Sequence, residues 1–234
     1  VRQWAVSRLA PSIALLFFFL KGTAMKGSLY MMLLLLLLSA CNGKGEAQMK
    51  IEGTVSSQYD GQKIYLLPLP HPTPQNVDST VIRNGHFAFS VPADSSFYDI
   101  TISRKANAQT QRLLIIAEKG KLNVEVGMVS SARGTLLNDR LQHWKEAMEG
   151  AQKTESVLSH RMMLCGDDAV MANQLQTQCD SVTKAFGNTT YQFIGENINP
   201  LGCFIFMNMS SLLTEQQIDQ LKASGIEQWK PKQH

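Results

Sequence analysis

The hydrophobic period of the chain changes once, and that change limits the folds open to it. Between Met49 and Val126 apolar residues alternate with polar ones: Phe87, Phe89 and Val91 fall on one side of an extended chain, as do Tyr98, Ile100 and Ile102, and then Leu122, Val124 and Val126. Successive side chains of a strand point to opposite faces, so this spacing predicts strands with one face buried, the pattern of an antiparallel sheet. After Gly134 the spacing lengthens to that of a helix, with Leu137, Leu141, Trp144 and Met148 on one stripe and few glycines or prolines to interrupt it. The expectation is an α+β chain, with an N-terminal antiparallel β-sandwich over residues 49–133 followed by a helical region over residues 134–230.

Turn residues divide the first half into about seven runs, the number expected of a small sandwich. Asn84-Gly85, between Val81-Ile82 and Phe87, is a tight-hairpin signal because both residues tolerate positive φ, and Lys119-Gly120-Lys121 marks another reversal. Strands consecutive in sequence are therefore expected to pair as neighbours, without crossover helices. Pro68, Pro70, Pro72 and Pro74, with His71 among them, cannot donate to a ladder and predict an exposed loop at an edge or between sheets. In the second half Cys165-Gly166 reads as a turn and Asp167-Asp168 as the cap of a helix running past Leu175, Val182 and Phe186. Pro200 suits the first turn of a helix through Leu201, Phe204 and Ile205. Thr214 with Gln217 forms a capping-box pattern for a last helix through Leu221, ended by Gly225.

Upstream of these elements, Met25-Lys26 and the run from Met31 to Leu38 supply the basic start and short apolar core of an export signal, with small Ser39 and Ala40 at its cut. The run is too short for the roughly 20 apolar residues that a bilayer requires. Leu38-Ser39-Ala40-Cys41 resembles the lipobox of bacterial lipoproteins, which implies cleavage before Cys41 and a diacylglyceryl group on its thiol. A chance cysteine after an ordinary signal would need its position, Leu38 and the small residues all to coincide. Each buried methylene strengthens membrane attachment by roughly 0.8 kcal/mol, so several acyl chains would hold the body permanently. Residues 25–40 are expected to be the signal peptide and residues 41–48 a flexible polar tether. Residues 1–24, which carry a second apolar stretch from Ile13 to Leu20 but no initiating Met, are expected to be upstream sequence translated in error or an extended leader. The expected location is the cell envelope, lipid-anchored at the outer membrane and facing the periplasm.

The formal charge of +3 counts 22 basic and 19 acidic residues. Arg2, Arg8, Lys21 and Lys26 precede Cys41 and no acid does, so the chain from Cys41 onward carries 18 basic residues against 19 acidic, a net −1. A nearly neutral body offers no basic patch to a phosphate backbone, which argues against a nucleic-acid partner.

The order Val77-Asp78-Ser79-Thr80-Val81-Ile82-Arg83-Asn84-Gly85-His86-Phe87-Ala88-Phe89 resembles the core of the domain of unknown function 4369, found in lipoproteins of anaerobes. Ile51-Glu52-Gly53, Glu118-Lys119-Gly120, Gly134-Thr135 and Asn138-Asp139 follow that family's order. In many relatives a helical stretch with a pattern similar to Asn197-Ile198-Asn199-Pro200-Leu201-Gly202 leads into a thioredoxin-like domain with a redox Cys-x-x-C. The sequence here reaches His234 soon after Lys230-Pro231, about where that domain is expected to begin. The resemblance thus reaches the accessory part of those thiol-disulfide oxidoreductases and implies no catalytic residues.

Thiol exchange by the usual route uses a low-pKa cysteine with a resolving partner in Cys-x-x-C, a spacing absent from the sequence. Cys165 and Cys179, fourteen positions apart, are a candidate disulfide if the turn folds back. With Cys179 inside the following helix, a rise of roughly 1.5 Å per residue would carry it past the Cα separation of about 7 Å that a bridge tolerates. Cys203, among Leu201, Phe204 and Ile205, reads as a small buried hydrophobe rather than a reactive thiol. His71, His86, His143, His160 and His234 have no ligand spacing, and Asp167-Asp168 is explained by capping, so no metal or other cofactor is expected. Asp78-Ser79-Thr80 is similar to the short acceptor sequence for O-glycosylation of exported proteins in some anaerobes, with Ser79 the acceptor.

These features favour a non-catalytic, lipid-anchored envelope protein that serves an envelope protein or a thioredoxin-like partner. The alternatives are a stand-alone binding lipoprotein contacting a glycan or protein through the proline loop and an exposed sheet face, and a thiol oxidoreductase using Cys165 and Cys179.

Overall fold

The alternation in the first strand is realised residue by residue. A computed structural model describes residues 47–102 and 112–229, and in strand β1 (Gln48–Val55) Met49, Ile51, Gly53 and Val55 point inward while their neighbours face solvent. The same alternation shapes β4 (His86–Pro92) and β7 (Gly120–Val126). With β8 (Ser131–Arg133) they form a four-stranded sheet in the order β4-β1-β7-β8. The second sheet, in the order β3-β2-β5-β6, is built from β2 (Lys63–Pro68), β3 (Asp78–Val81), β5 (Phe97–Thr101) and β6 (Leu113–Ile116). Packed face to face, the sheets enclose a core that includes Ile51, Ile64, Phe89, Ile100, Ile115, Leu122 and Val124. Gly53 lies opposite Phe87 in the ladder, and a Cβ there would fall 1.9 Å from the Phe87 ring, so the glycine is the space into which that ring packs.

The expected α+β architecture is present, with eight strands among the described residues rather than about seven. Pairing between consecutive strands holds for β2/β3, β5/β6 and β7/β8 only. Asn84 and Gly85 do take positive φ, at 51° and 71°. The turn closes on itself through Arg83 and His86, whose amides each donate to the other's carbonyl at 2.9–3.0 Å. Beyond that bridge the strands part: β3 belongs to one sheet and β4 to the other. The turn thus carries the chain from one layer to the next, and so does the reversal at Lys119-Gly120-Lys121. One pairing departs from the antiparallel expectation, since β1 and β7 run parallel, from Met49 opposite Gly120 to Val55 opposite Val126. Parallel neighbours need a long connection; here it holds the whole second sheet and β4 as well. Pro70, His71, Pro72 and Pro74 form the expected exposed loop between β2 and the edge strand β3, whereas Pro68 belongs to the ladder as the last residue of β2, opposite Tyr98.

The continuous apolar run of β6 has a different cause. Leu113 and Ile115 enter the sandwich core, whereas Leu114 and Ile116 point the other way into a second core beneath the helices. A strand buried on both faces loses its alternation. The helices are α1 (Leu136–Met163), α2 (Ala169–Glu196), α3 (Pro200–Met209) and α4 (Glu215–Ala223). Their starts follow the sequence signals: Asp168 accepts from Met171 N, Pro200 occupies the first turn of α3, and Thr214 with Gln217 makes the full capping box. Leu141 and Trp144 face the core as their stripe predicts, and the Trp144 indole donates to the buried Thr190 hydroxyl at 3.2 Å.

Two amides on α1 fasten this layer to the sandwich. Asn138 Oδ1 accepts from Ile116 N at 3.0 Å and its Nδ2 donates to Ile116 O at 2.8 Å, so the side chain continues the ladder at the edge of β6 as another strand would. One turn along, Gln142 Oε1 accepts from Ala132 N of β8 at 3.2 Å while its Nε2 donates to Glu146. Both amides are almost wholly buried. Truncation to Asn138→Ala strands a buried donor and acceptor, each worth about 1–3 kcal/mol, and is expected to cost about 2 to 5 kcal/mol in urea unfolding. Asn173→Ala on the exposed face of α2 should cost less than about 0.5 kcal/mol.

Candidate functional site

Three of the motifs that share the family's order, at Glu118, Gly134-Thr135 and Asn138-Asp139, meet in space at the start of α1. Thr135, the N-cap residue, accepts no backbone amide of the helix with its side chain; Glu118, from the loop between β6 and β7, takes over that capping role. Its Oε1 accepts from Leu137 N at 2.6 Å and Asn138 N at 3.1 Å, placing a carboxylate where a helix leaves its donors unpaired and its dipole positive. The Thr135 hydroxyl accepts from Asn138 Nδ2 at 2.8 Å, and Asp139 Oδ1 accepts from Gly134 N at 2.8 Å. Glu118, Gly134, Thr135, Asn138 and Asp139 are therefore spent on joining two layers.

The second motif forms another joint, between α2 and α3. Asn199 caps α3 by accepting from Leu201 N and Gly202 N at 3.0 and 3.2 Å. Buried Asn197 accepts from Arg140 Nη1 at 2.9 Å and donates to Phe193 O at 2.7 Å, tying the turn to α1. A Cβ on Gly202 would fall 1.7 Å from Asn197 O, so only glycine lets α3 start against this turn.

The cysteines are not brought together as a redox pair. Cys165 lies in the α1–α2 turn, where its Sγ donates to Arg161 O at 3.3 Å, and Cys179 stands ten residues into α2, roughly 15 Å of helical rise from its start. No disulfide joins them. Cys203 is buried in α3, as its apolar neighbours suggest. Ser79 is exposed on edge strand β3. Cys41 and its lipobox neighbours Leu38, Ser39 and Ala40 lie outside the described residues. Among the described residues, no three His, Cys, Asp or Glu side chains are placed to hold a metal ion, and no helix is long and apolar enough to cross a membrane. Asp99, beneath the helices, has its carboxyl pushed above the ordinary range by burial, with Arg112 at 3.8 Å opposing the shift. On α1 the Lys145 amine is pushed down to about 8, chiefly by burial and with Arg133 adding repulsion, against the opposing pull of Glu149 and Glu146.

Two of the apolar surfaces open among the described residues lie on or beside the helices. Met163, Leu164, Val170 and Met171 are exposed around the turn of the α1–α2 hairpin. The other is a groove of about 440 Å³, within the size range of ligand-binding pockets. Its walls are Leu69 and Pro70 after β2, the Asp94–Phe97 segment before β5, one side of α3, and Trp229. The Phe97 and Phe204 rings stack across its floor with centroids 4.2 Å apart. Asp94 Oδ1 accepts from Ser96 N at 2.9 Å, and Leu69 N donates to Phe97 O at 2.9 Å, fixing the wall. Phe97 was the available sequence signal, an apolar residue on the face of β5 opposite Tyr98, Ile100 and Ile102.

A two-sheet sandwich whose second sheet carries a helical layer, locked by a carboxylate and an amide at the first helix, defines the class. Residues 49–141 match the family model described as Domain of unknown function (DUF4369). The matched range extends to Leu141, taking in the sandwich and the first turns of α1 with the Asn138 joint. No curated protein and no solved structure matches the chain.

The Lys145 shift gives the stability a pH dependence. With its folded value near 8 and its ordinary value at 10.5, the unfolded chain binds more protons between these limits, so stability rises with pH across that window. The urea midpoint is expected to climb from pH 8 toward 10, and Lys145→Met should flatten the rise.

Proposed function

We propose that the protein is a lipid-anchored cell-envelope protein at the outer membrane, facing the periplasm, that acts by binding rather than by catalysis. The reading deepens its likeness to the accessory part of thiol-disulfide oxidoreductase lipoproteins and makes an envelope protein, such as a thioredoxin-like one, its partner. The observation that carries it is the use made of the family's residues: Glu118, Gly134, Thr135, Asn138 and Asp139 hold two layers in one arrangement, which suits a rigid stand. The lipobox supports the anchor, with β1 beginning at Gln48 only seven positions after Cys41. The exposed apolar turn of the α1–α2 hairpin is the surface offered to the partner.

Incorporation of labelled acyl chain in a lipoprotein-processing host tests the anchor. The protein is expected to take up label and sediment with membranes, and Cys41→Ser should lose both; label retained by Cys41→Ser would overturn the reading. Insulin reduction tests the mode of action. No turnover above background is expected, whereas turnover abolished by either Cys165→Ser or Cys179→Ser would make the protein a thiol oxidoreductase instead.

A further inference from the structure

We propose that the groove walled by the Asp94–Phe97 segment, α3 and Trp229 rests on the lipid surface, with Trp229 and Met207 at the membrane interface. The inference depends on the anchor at Cys41 and adds which side of the body that anchor holds against the bilayer.

Its basis is where the chain enters the fold. Ala47 O accepts from Ala93 N at 2.7 Å, and the next residues, Asp94, Ser95 and Ser96, form the groove wall. The entry point and the groove thus share one end of the sandwich. Cys41 is six residues upstream of Ala47, and six residues reach at most about 20 Å when fully extended, or roughly 13 Å as a relaxed flexible coil. A 28-residue helix such as α1 is itself about 42 Å long. The tether is shorter than the body it holds, so it keeps the end that carries the groove near the bilayer.

The groove is built for that position. Met207 is 51% exposed and Trp229 43%, beside Phe204 and Pro70, with Ser95 and Asn208 among its polar lining. An indole with one apolar and one polar side favours the level of lipid headgroups. A soluble partner would have to enter between the body and the bilayer, whereas lipid is already there at high effective concentration. The body carries a net −1 from Cys41 onward and Asp94 stands in the wall, so apolar contact rather than attraction to acidic lipid drives the seating.

The test uses the full lipidated protein in phosphatidylethanolamine–phosphatidylglycerol vesicles, with and without brominated acyl chains that quench tryptophan on contact. From Cys41 onward the tryptophans are Trp144, which is buried, and Trp229. Brominated lipid is expected to quench part of the emission, the quenching should persist in high salt, and Trp229→Phe should abolish it. A second reporter, Glu125→Trp in the Trp229→Phe background, sits beside Thr54 at the far end of β1, about 20 Å along that strand from Gln48, and should stay unquenched. Protein that floats with vesicles while Trp229 is unquenched would overturn this orientation and leave the anchor standing. Protein that fails to float would overturn both.

Discussion

Much of the molecule depends on one side-chain amide. Asn138 donates to and accepts from the same residue of β6 through two separate atoms, whereas a carboxylate can only accept and a hydroxyl has a single oxygen for both tasks. A sheet edge carries unpaired donors and acceptors that must find partners when covered. A helix cannot pair with a strand through its own backbone, because its amides and carbonyls are already engaged along its axis. Asn138 and Gln142 extend the edges of β6 and β8, one in each sheet, with a single helix face. The spacing of four residues that aligns them is the spacing that lets α1 bridge the two layers.

From this joint the order of the layers follows. The first sheet covers the second on one side and the helices cover it on the other, so Ile115 and Ile116, adjacent in sequence, belong to separate cores. The stacked rings of Phe97 and Phe204 join β5 to α3 at the far end of the same interface. Glu118 completes the arrangement by capping α1 from the strand loop, which ties the helix start to the β6–β7 crossing.

Local signals in the sequence were translated faithfully into structure, and non-local ones were not. Thr214 and Gln217, Asp168 and Pro200 sit at the helix starts their chemistry predicts, because a cap is settled by residues a few positions apart. Asn84-Gly85 adopts the predicted backbone, yet a tight turn reports only that the chain reverses and leaves open which ladder each strand joins. Three-residue β8 is too short to show a period. Asn138 and Gln142 were hidden because a polar residue on a helix reads as solvated unless its partner is known. The groove was hidden for a related reason: residues near 69, 95, 204 and 229 have no pattern in common along the chain.

The parallel pairing of β1 with β7 bears on how the molecule comes into being. Among the described residues, β1 is the first strand to emerge from the ribosome, and it takes a central place in its sheet, flanked by β4 and β7. Val126 follows its partner Val55 by 71 positions, which elongation at about 5–20 residues per second takes roughly 4 to 14 s to add. Throughout that interval Met49 and Ile51 lack part of their cover, and the strand offers an open edge to any extended chain nearby. The open edge of β1 is thus the place where association with other chains competes with folding until β7 arrives to close it.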